Sequence, residues 1–240
     1  MWMICTKEWR QFFSSLSGYI AIVVFLLLNG LLLFVFPDTS LLDFGYASLN
    51  GFFDLSPWIL LFLVPTITMR SISDEYKSGT FEILKTMPLQ PSQIVLGKFL
   101  GALLIVSLAL IPTIIYAFSL QALSAVGGLD TGSTAGSYIG LLLLGAVFTS
   151  VGICCSSFTN NTIVAFVSGA FVCFLLYTGF EAISKLPVFQ AGPDYYIEML
   201  GIKFHYNSIS KGVIDIRDVL YFTGIIFIFL VITQRNIARR

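Results

Sequence analysis

The sequence predicts an all-α integral membrane protein with six transmembrane helices. Three observations carry the prediction. Apolar residues make up 57% of the 240 and charged residues only 11%, less than half the roughly 25% of a soluble domain. The apolar residues gather into runs that approach the roughly 20 residues a helical span needs. None of these runs alternates in the way of a barrel strand, so each must satisfy its backbone internally as a helix.

Residues 1–17 precede the first span. At 100° per residue, Trp2, Cys5, Trp9, Phe12, Phe13 and Leu16 share one arc of about 100°. Glu8, Arg10, Gln11, Ser14 and Ser15 occupy the rest, and only Met3 and Ile4 break the division. This suits a helix lying in the membrane interface with its tryptophans at headgroup depth, in preference to a solvated start to the span. The first span, 18–36, follows Ser17-Gly18 and stops at Pro37-Asp38. It is longer than the roughly 7–15 apolar residues of a secretory signal and is expected to remain uncleaved. The other spans are expected at 55–70, 97–121, 137–157, 161–183 and 218–234. With no repeat period and no low-complexity linker, the chain reads as one membrane domain, 1–240.

Loop charges set the expected orientation. Nine basic residues (Lys7, Arg10, Arg70, Lys77, Lys85, Lys98, Arg235, Arg239, Arg240) fall on one side and four (Lys185, Lys203, Lys211, Arg217) on the other. Both termini are therefore expected in the cytoplasm, which an even number of spans also requires. Formal net charge is zero, which argues against a nucleic-acid partner. The four cysteines form no CxxC and the single histidine, His205, has no second histidine to share a metal, so neither a disulfide framework nor a metal site is expected.

The stretch 70–98 is longer than a simple return loop of roughly 2–8 residues. Ser71 with Asp74 resembles a capping box, and Asp74 and Glu75 suit the positive end of a helix dipole. Gly79 can turn the chain. A second short helix fits Thr80 to Met87, with Thr80 as its cap, Glu82 in its first turn and Pro88 as its stop. Ser92 is expected to cap the third span, in which Gly97 and Gly101 form a GxxxG that lets a neighbour approach closely. The bland alternative is a solvated loop.

The pattern Arg70-x4-Glu75-x3-Gly79-Thr80-x-Glu82-x-Leu84-x3-Pro88, followed by Gly97-Lys98, resembles the first cytoplasmic loop of ABC-2 type permeases, the membrane subunits of ATP-binding-cassette transporters. The opening "KEWRQFFSSLSGYI" is similar to the amphipathic start of the same family. Within it, residues 204–222 resemble the gliding-motility-associated permeases. The resemblance implies the six-helix ABC-2 (type V exporter) fold, with residues 71–88 as a coupling helix gripped by a separate ATPase subunit. Glu75 and Glu82 would make polar contacts to it, Phe81 and Leu84 apolar ones, Gly79 would set the bend, and Arg70 would anchor the span. Because the chain lacks G-x-x-x-x-G-K-[ST], it cannot cradle nucleotide itself. ATP and its magnesium ion would sit on the ATPase, and this chain would hold no cofactor. A second permease subunit, identical or related, is expected, together with an accessory protein on the outer side. The plasma (inner) membrane is the expected location.

Other residues carry open alternatives. Asn29 either bonds across a dimer or to a neighbouring helix of its own chain. Pro65 and Pro112 are hinges or static kinks. Glu181 is either a gating contact or an i,i+4 ion pair with Lys185. Residues 148–162, rich in small and polar side chains, are either a second docking surface or a site of tight helix packing. The segment 184–217 is expected to form short helices on the outer side, with His205 structural or solvated. Rival functions are a non-transporting anchor for a cytoplasmic partner and an ion-coupled carrier; the latter needs charge near mid-membrane beside broken helices, and the spans hold almost none. An intramembrane enzyme would need a nucleophile–base pair or HExxH, and the sequence has neither.

Overall fold

The computed structural model describes residues 1–36, 48–86, 90–124, 128–187, 194–212 and 215–239, and among them there is no β-strand. Helix α1 (Trp2–Ser14) leads into α2 (Leu16–Phe34) through an extended Ser15, and the two meet at 74°. Then follow α3 (Asn50–Thr68), the short α4 (Ser73–Ser78) and α5 (Thr80–Thr86), and α6 (Pro91–Leu110). After a 3-10 turn at Ile111–Thr113 come α7 (Ile114–Leu123), α8 (Thr131–Phe158) and α9 (Thr162–Phe174). A π-turn, Leu175–Gly179, leads to α10 (Phe180–Ser184), and α11 (Asp194–Glu198), α12 (Ile202–Ser210) and α13 (Ile216–Arg239) complete the chain. Among the described residues five helices are long and apolar enough to cross a membrane, and six when the bent pair α1–α2 counts as one span.

Helix α8 is the axis of the bundle. Of its apolar window 78% is buried, against 28% for the α9 span and 17% for α13, so α8 sits inside while the latter two face outward. Small residues let its neighbours come close. A Cβ on Gly152 would stand 2.0 Å from Thr68 Oγ1 of α3, closer than any side chain is tolerated. Residues 148–157 of the polar and small stretch are thus packing surface, while Phe158, Asn160 and Asn161 at its end are exposed. Asp130 caps α8, its Oδ1 accepting from the amides of Gly132 and Ser133, which starts the helix six residues before the apolar run suggested.

The second span also starts earlier than its apolar run, at Asn50, with Asp54 and Pro57 inside it. Pro57 has no N–H to give the carbonyl four residues back. That carbonyl is Phe53's, and Tyr206 Oη of α12 donates to it at 2.7 Å from a fully buried position. A proline that would otherwise leave a buried acceptor unpaired is thus compensated from a distant helix. Pro65 lies within the same helix, buried, with the amide of Met69 still reaching its carbonyl and its ring facing Gly169 of α9. At Pro112 the helix tightens into the 3-10 turn without dividing the span, and the turn is pinned: Thr113 Oγ1 donates to Leu110 O, and Tyr138 Oη of α8 donates to Thr113 O at 2.9 Å.

Asn29 is buried and bonds within its own chain. It donates to Phe25 O at 2.8 Å and accepts from Ser56 Oγ of α3 at 3.2 Å, tying α2 to α3. Its capacity is directed inward, not across a dimer.

The bundle has a basic end, where Lys7, Arg70, Lys98 and the last turn of α13 gather, and an opposite end closed by α10–α12. At the opposite end Glu181 pairs with Lys185 at 2.6 Å and also with Lys203 of α12 at 2.8 Å, so the ion pair expected within one helix extends across two. His205 is buried between Asp218, 2.6 Å from Nδ1, and the Met199 carbonyl, 2.9 Å from Nε2, and it stacks on Tyr221 at 3.9 Å. A carbonyl can only accept, so Nε2 donates to Met199 O while Nδ1 faces Asp218 Oδ1. The histidine is structural: it clamps α12 onto α13.

Removing the Tyr206 hydroxyl isolates the compensation at Pro57. Tyr206→Phe should destabilise the chain by about 1–3 kcal/mol, the cost of an unpaired buried acceptor, read as a lower unfolding midpoint in detergent. The same substitution made together with Pro57→Ala, which restores the missing N–H, should cost much less.

Candidate functional site

The chain leaves α3 at the basic end and turns into α4 under the control of one side chain from α8. Ser156 Oγ accepts from the amides of Ile72 (3.2 Å) and Ser73 (3.0 Å) and donates to the Met69 carbonyl (3.0 Å). Its donor and both acceptor sites are used. This replaces the capping box expected from Ser71 and Asp74: α4 begins at Ser73, and Ser71 Oγ has no protein partner. Ser157 is bound from the other side, its carbonyl accepting from Asn236 Nδ2 of α13 at 2.7 Å. The last turn of α8 therefore holds both the hairpin and the last helix.

Gly79 ends α4 in the left-handed region, φ +72°, which costs other L-residues roughly 1–2 kcal/mol. The chain reverses there into α5 as expected. Thr80 Oγ1 meets Ser78 Oγ at 2.8 Å and not a helix amide, so its hydroxyl tightens the turn. Helix α5 ends at Thr86, and Pro88 lies outside the described residues. Helix α6 starts at Pro91, whose missing N–H costs nothing at that position, with Gln93 Oε1 accepting from the Gln90 amide. Ser92, the expected cap, is already inside the helix.

Which side chains the hairpin exposes differs from the sequence expectation. Phe81 and Leu84 are 5% and 8% exposed and belong to the core, with Phe81 edge-on to Tyr76 at 4.7 Å and Lys85 above its ring. They hold α5 down and leave no free anchor. The exposed face is instead Lys77, Thr80, Glu82, Ile83, Lys85 and Thr86, with Ile83 at 60%. The helical spacing is responsible: 81 and 84 share one face, while 82, 83 and 86 share the other. Arg70 is exposed where α3 leaves the bundle.

Glu75 also faces inward. Its Oε1 contacts Lys7 Nζ of α1 at 2.7 Å and Lys98 Nζ of α6 at 3.0 Å. Lys98 in turn contacts Glu8 Oε1 at 2.7 Å and the Ser71 carbonyl at 2.5 Å. The Lys98 side chain is wholly buried. Two cations and two anions thus cancel under the hairpin. The GxxxG beside them seats α1: a Cβ on Gly97 would meet Ile4 Cβ and Met1 O at 2.9 Å, and one on Gly101 would meet Glu8 Cβ at 2.9 Å. Ile4, which broke the amphipathic division of α1, is the residue that faces this groove. Sequence reading identified Glu75 and the glycines but not their partners, because Lys98 and Glu8 stand 90 residues apart.

Among the described residues no three His, Cys, Asp or Glu side chains gather as a metal site, and Cys5, Cys154, Cys155 and Cys173 are free thiols. What the arrangement offers is a rigidly mounted projection with a mixed polar and apolar tip, suited to mechanical contact with another protein. Removing one charge of the buried cluster should be costly. Lys98→Met leaves Glu8 without its cation and Glu75 with only the half-exposed Lys7, and should destabilise the chain by about 3–5 kcal/mol, measured as a fall in the unfolding midpoint. Lys7→Met, at the half-exposed rim, should cost no more than about 1 kcal/mol.

Comparison with known proteins supplies the identity of this layout. No curated protein matches the chain in sequence. A family model described as ABC-2 family transporter protein matches residues 6–233, a range that includes α1 from its second turn, the whole hairpin and most of α13. With that match over almost its full length, the chain belongs to the ABC-2 family of transporter membrane proteins.

Proposed function

We propose that this chain is the permease subunit of an ATP-binding-cassette exporter, and that a separate ATPase subunit grips the α4–α5 hairpin. Family membership supports the transporter class. The observation that favours the hairpin is its tip: Ile83, 60% exposed, stands between Glu82 and Lys85 on a helix whose other face is fastened to the core. An exposed aliphatic residue ringed by charge on a rigid mount is the anatomy of an interface anchor. The basic end would face the cytoplasm, which puts the hairpin where an ATPase can reach it.

ATP and magnesium would bind on the ATPase, whose closure would displace the hairpin and with it the helices that hold it. Such a displacement does work only if the nucleotide-bound ATPase favours one membrane arrangement over the other. A second copy or a related permease would complete the pathway against the outward faces of the bundle. The likeness of residues 204–222 to gliding-motility-associated permeases favours export or force transmission serving motility.

The test is co-purification of the chain with its ATPase from native membranes, followed by ATP turnover. Ile83→Arg should weaken the association by about 2 kcal/mol or more, roughly 30-fold in Kd, without lowering the unfolding midpoint. Unchanged association would remove the hairpin from the interface. An ATPase-free complex with some other cytoplasmic protein would favour the anchor reading.

A further inference from the structure

The Lys98 ammonium has three N–H donors, and each has an acceptor on a different part of the basic end. Glu8 belongs to α1, Ser71 to the turn that launches α4, and Glu75 to α4 itself, while Lys98 belongs to α6. Glu75 Oε1 accepts a second cation from α1, Lys7. The packing around the cluster is divided: α1 packs on α6 and α2, and α4 packs on α5, α8 and α9. Direct packing between α1 and α4 is slight, so polar contacts to this lysine and its carboxylates are what join them. Because the cluster holds two cations and two anions, its contribution is directional and leaves no net charge for a ligand to read.

We propose that Lys98 is a positioning residue that makes α1 and the α4–α5 hairpin move as one unit, so that a push on the hairpin reorients α1. This inference rests on the coupling reading above and specifies how the motion leaves the hairpin. Helix α1 is the natural recipient. It meets α2 at 74° across an extended Ser15, so a tilt of α1 is delivered to the base of the first span. The Gly97–Gly101 groove keeps α1 against α6, and the lysine at the edge of that groove adds the hairpin to the same body.

The test uses the full chain with its co-purified ATPase in lipid nanodiscs, carrying pairs of nitroxide labels. Gln11→Cys reports α1, Thr86→Cys reports α5, and Ile163→Cys, at the exposed start of α9, is the reference. In the wild-type background, nucleotide binding should shift both the 11–163 and the 86–163 distances and leave 11–86 unchanged. In Lys98→Met with Glu8→Gln and Glu75→Gln, no buried charge is left unpaired, so the fold is retained. There the 86–163 shift should persist and the 11–163 shift should be lost. A full 11–163 shift in the triple variant, or a wild-type 11–86 distance that changes as much as the others, would overturn the proposal. If nucleotide moves neither label in the wild type, the coupling reading fails first and this one with it.

Discussion

One buried ammonium organises the basic end of this molecule. Lys98 gives each of its three N–H groups to a different acceptor, and its burial would be untenable otherwise. Because those acceptors come from α1, from the turn after α3 and from α4, the lysine fixes the direction in which the hairpin leaves the bundle. Ser156 fixes the point of departure, holding two amides and one carbonyl of the same turn. The hairpin is therefore mounted twice, by charge from α6 and by hydrogen bonds from α8.

The opposite end is built on the same logic with different chemistry. His205 and Asp218 share a contact of 2.6 Å out of solvent, Tyr206 satisfies the carbonyl that Pro57 abandons, and Ser137 donates to the Ser210 carbonyl at 2.8 Å. Each bond joins α12 to a long helix. In a hydrocarbon setting apolar contact alone discriminates poorly between helix arrangements, and such polar contacts with close-packed small residues select one. Both ends of α8 are held in this way, which suits the axis of a bundle expected to rock.

Much of this was legible in the sequence. The spans follow from the length of apolar runs, the reversal at Gly79 from its freedom at positive φ, and the close approach at Gly97 and Gly101 from their spacing. What was not legible depends on partners remote in the chain. Span boundaries at Asn50 and Thr131 extend past the apolar runs because Asp54, Pro57 and the cap at Asp130 are tolerated where other elements or solvent serve them. Ser71 looked like a cap, but Ser156 holds the Ile72 and Ser73 amides and the helix starts two residues later, at Ser73. Phe81 and Leu84 were expected as anchors from the family resemblance, and they are buried instead. Periodicity states which residues share a face, but only the tertiary fold states which face is inward. Ile83 was visible as apolar, and its exposure was not.

The whole account requires the hairpin to lie on the cytoplasmic side and to be covered by the ATPase. Lys85→Cys, on the exposed face of α5, tests both with a membrane-impermeant thiol reagent. The account predicts no labelling in intact cells, labelling in inverted membrane vesicles stripped of the ATPase, and protection when the ATPase is restored. Labelling from outside intact cells would contradict it, because the basic end would then face away from any nucleotide-driven partner.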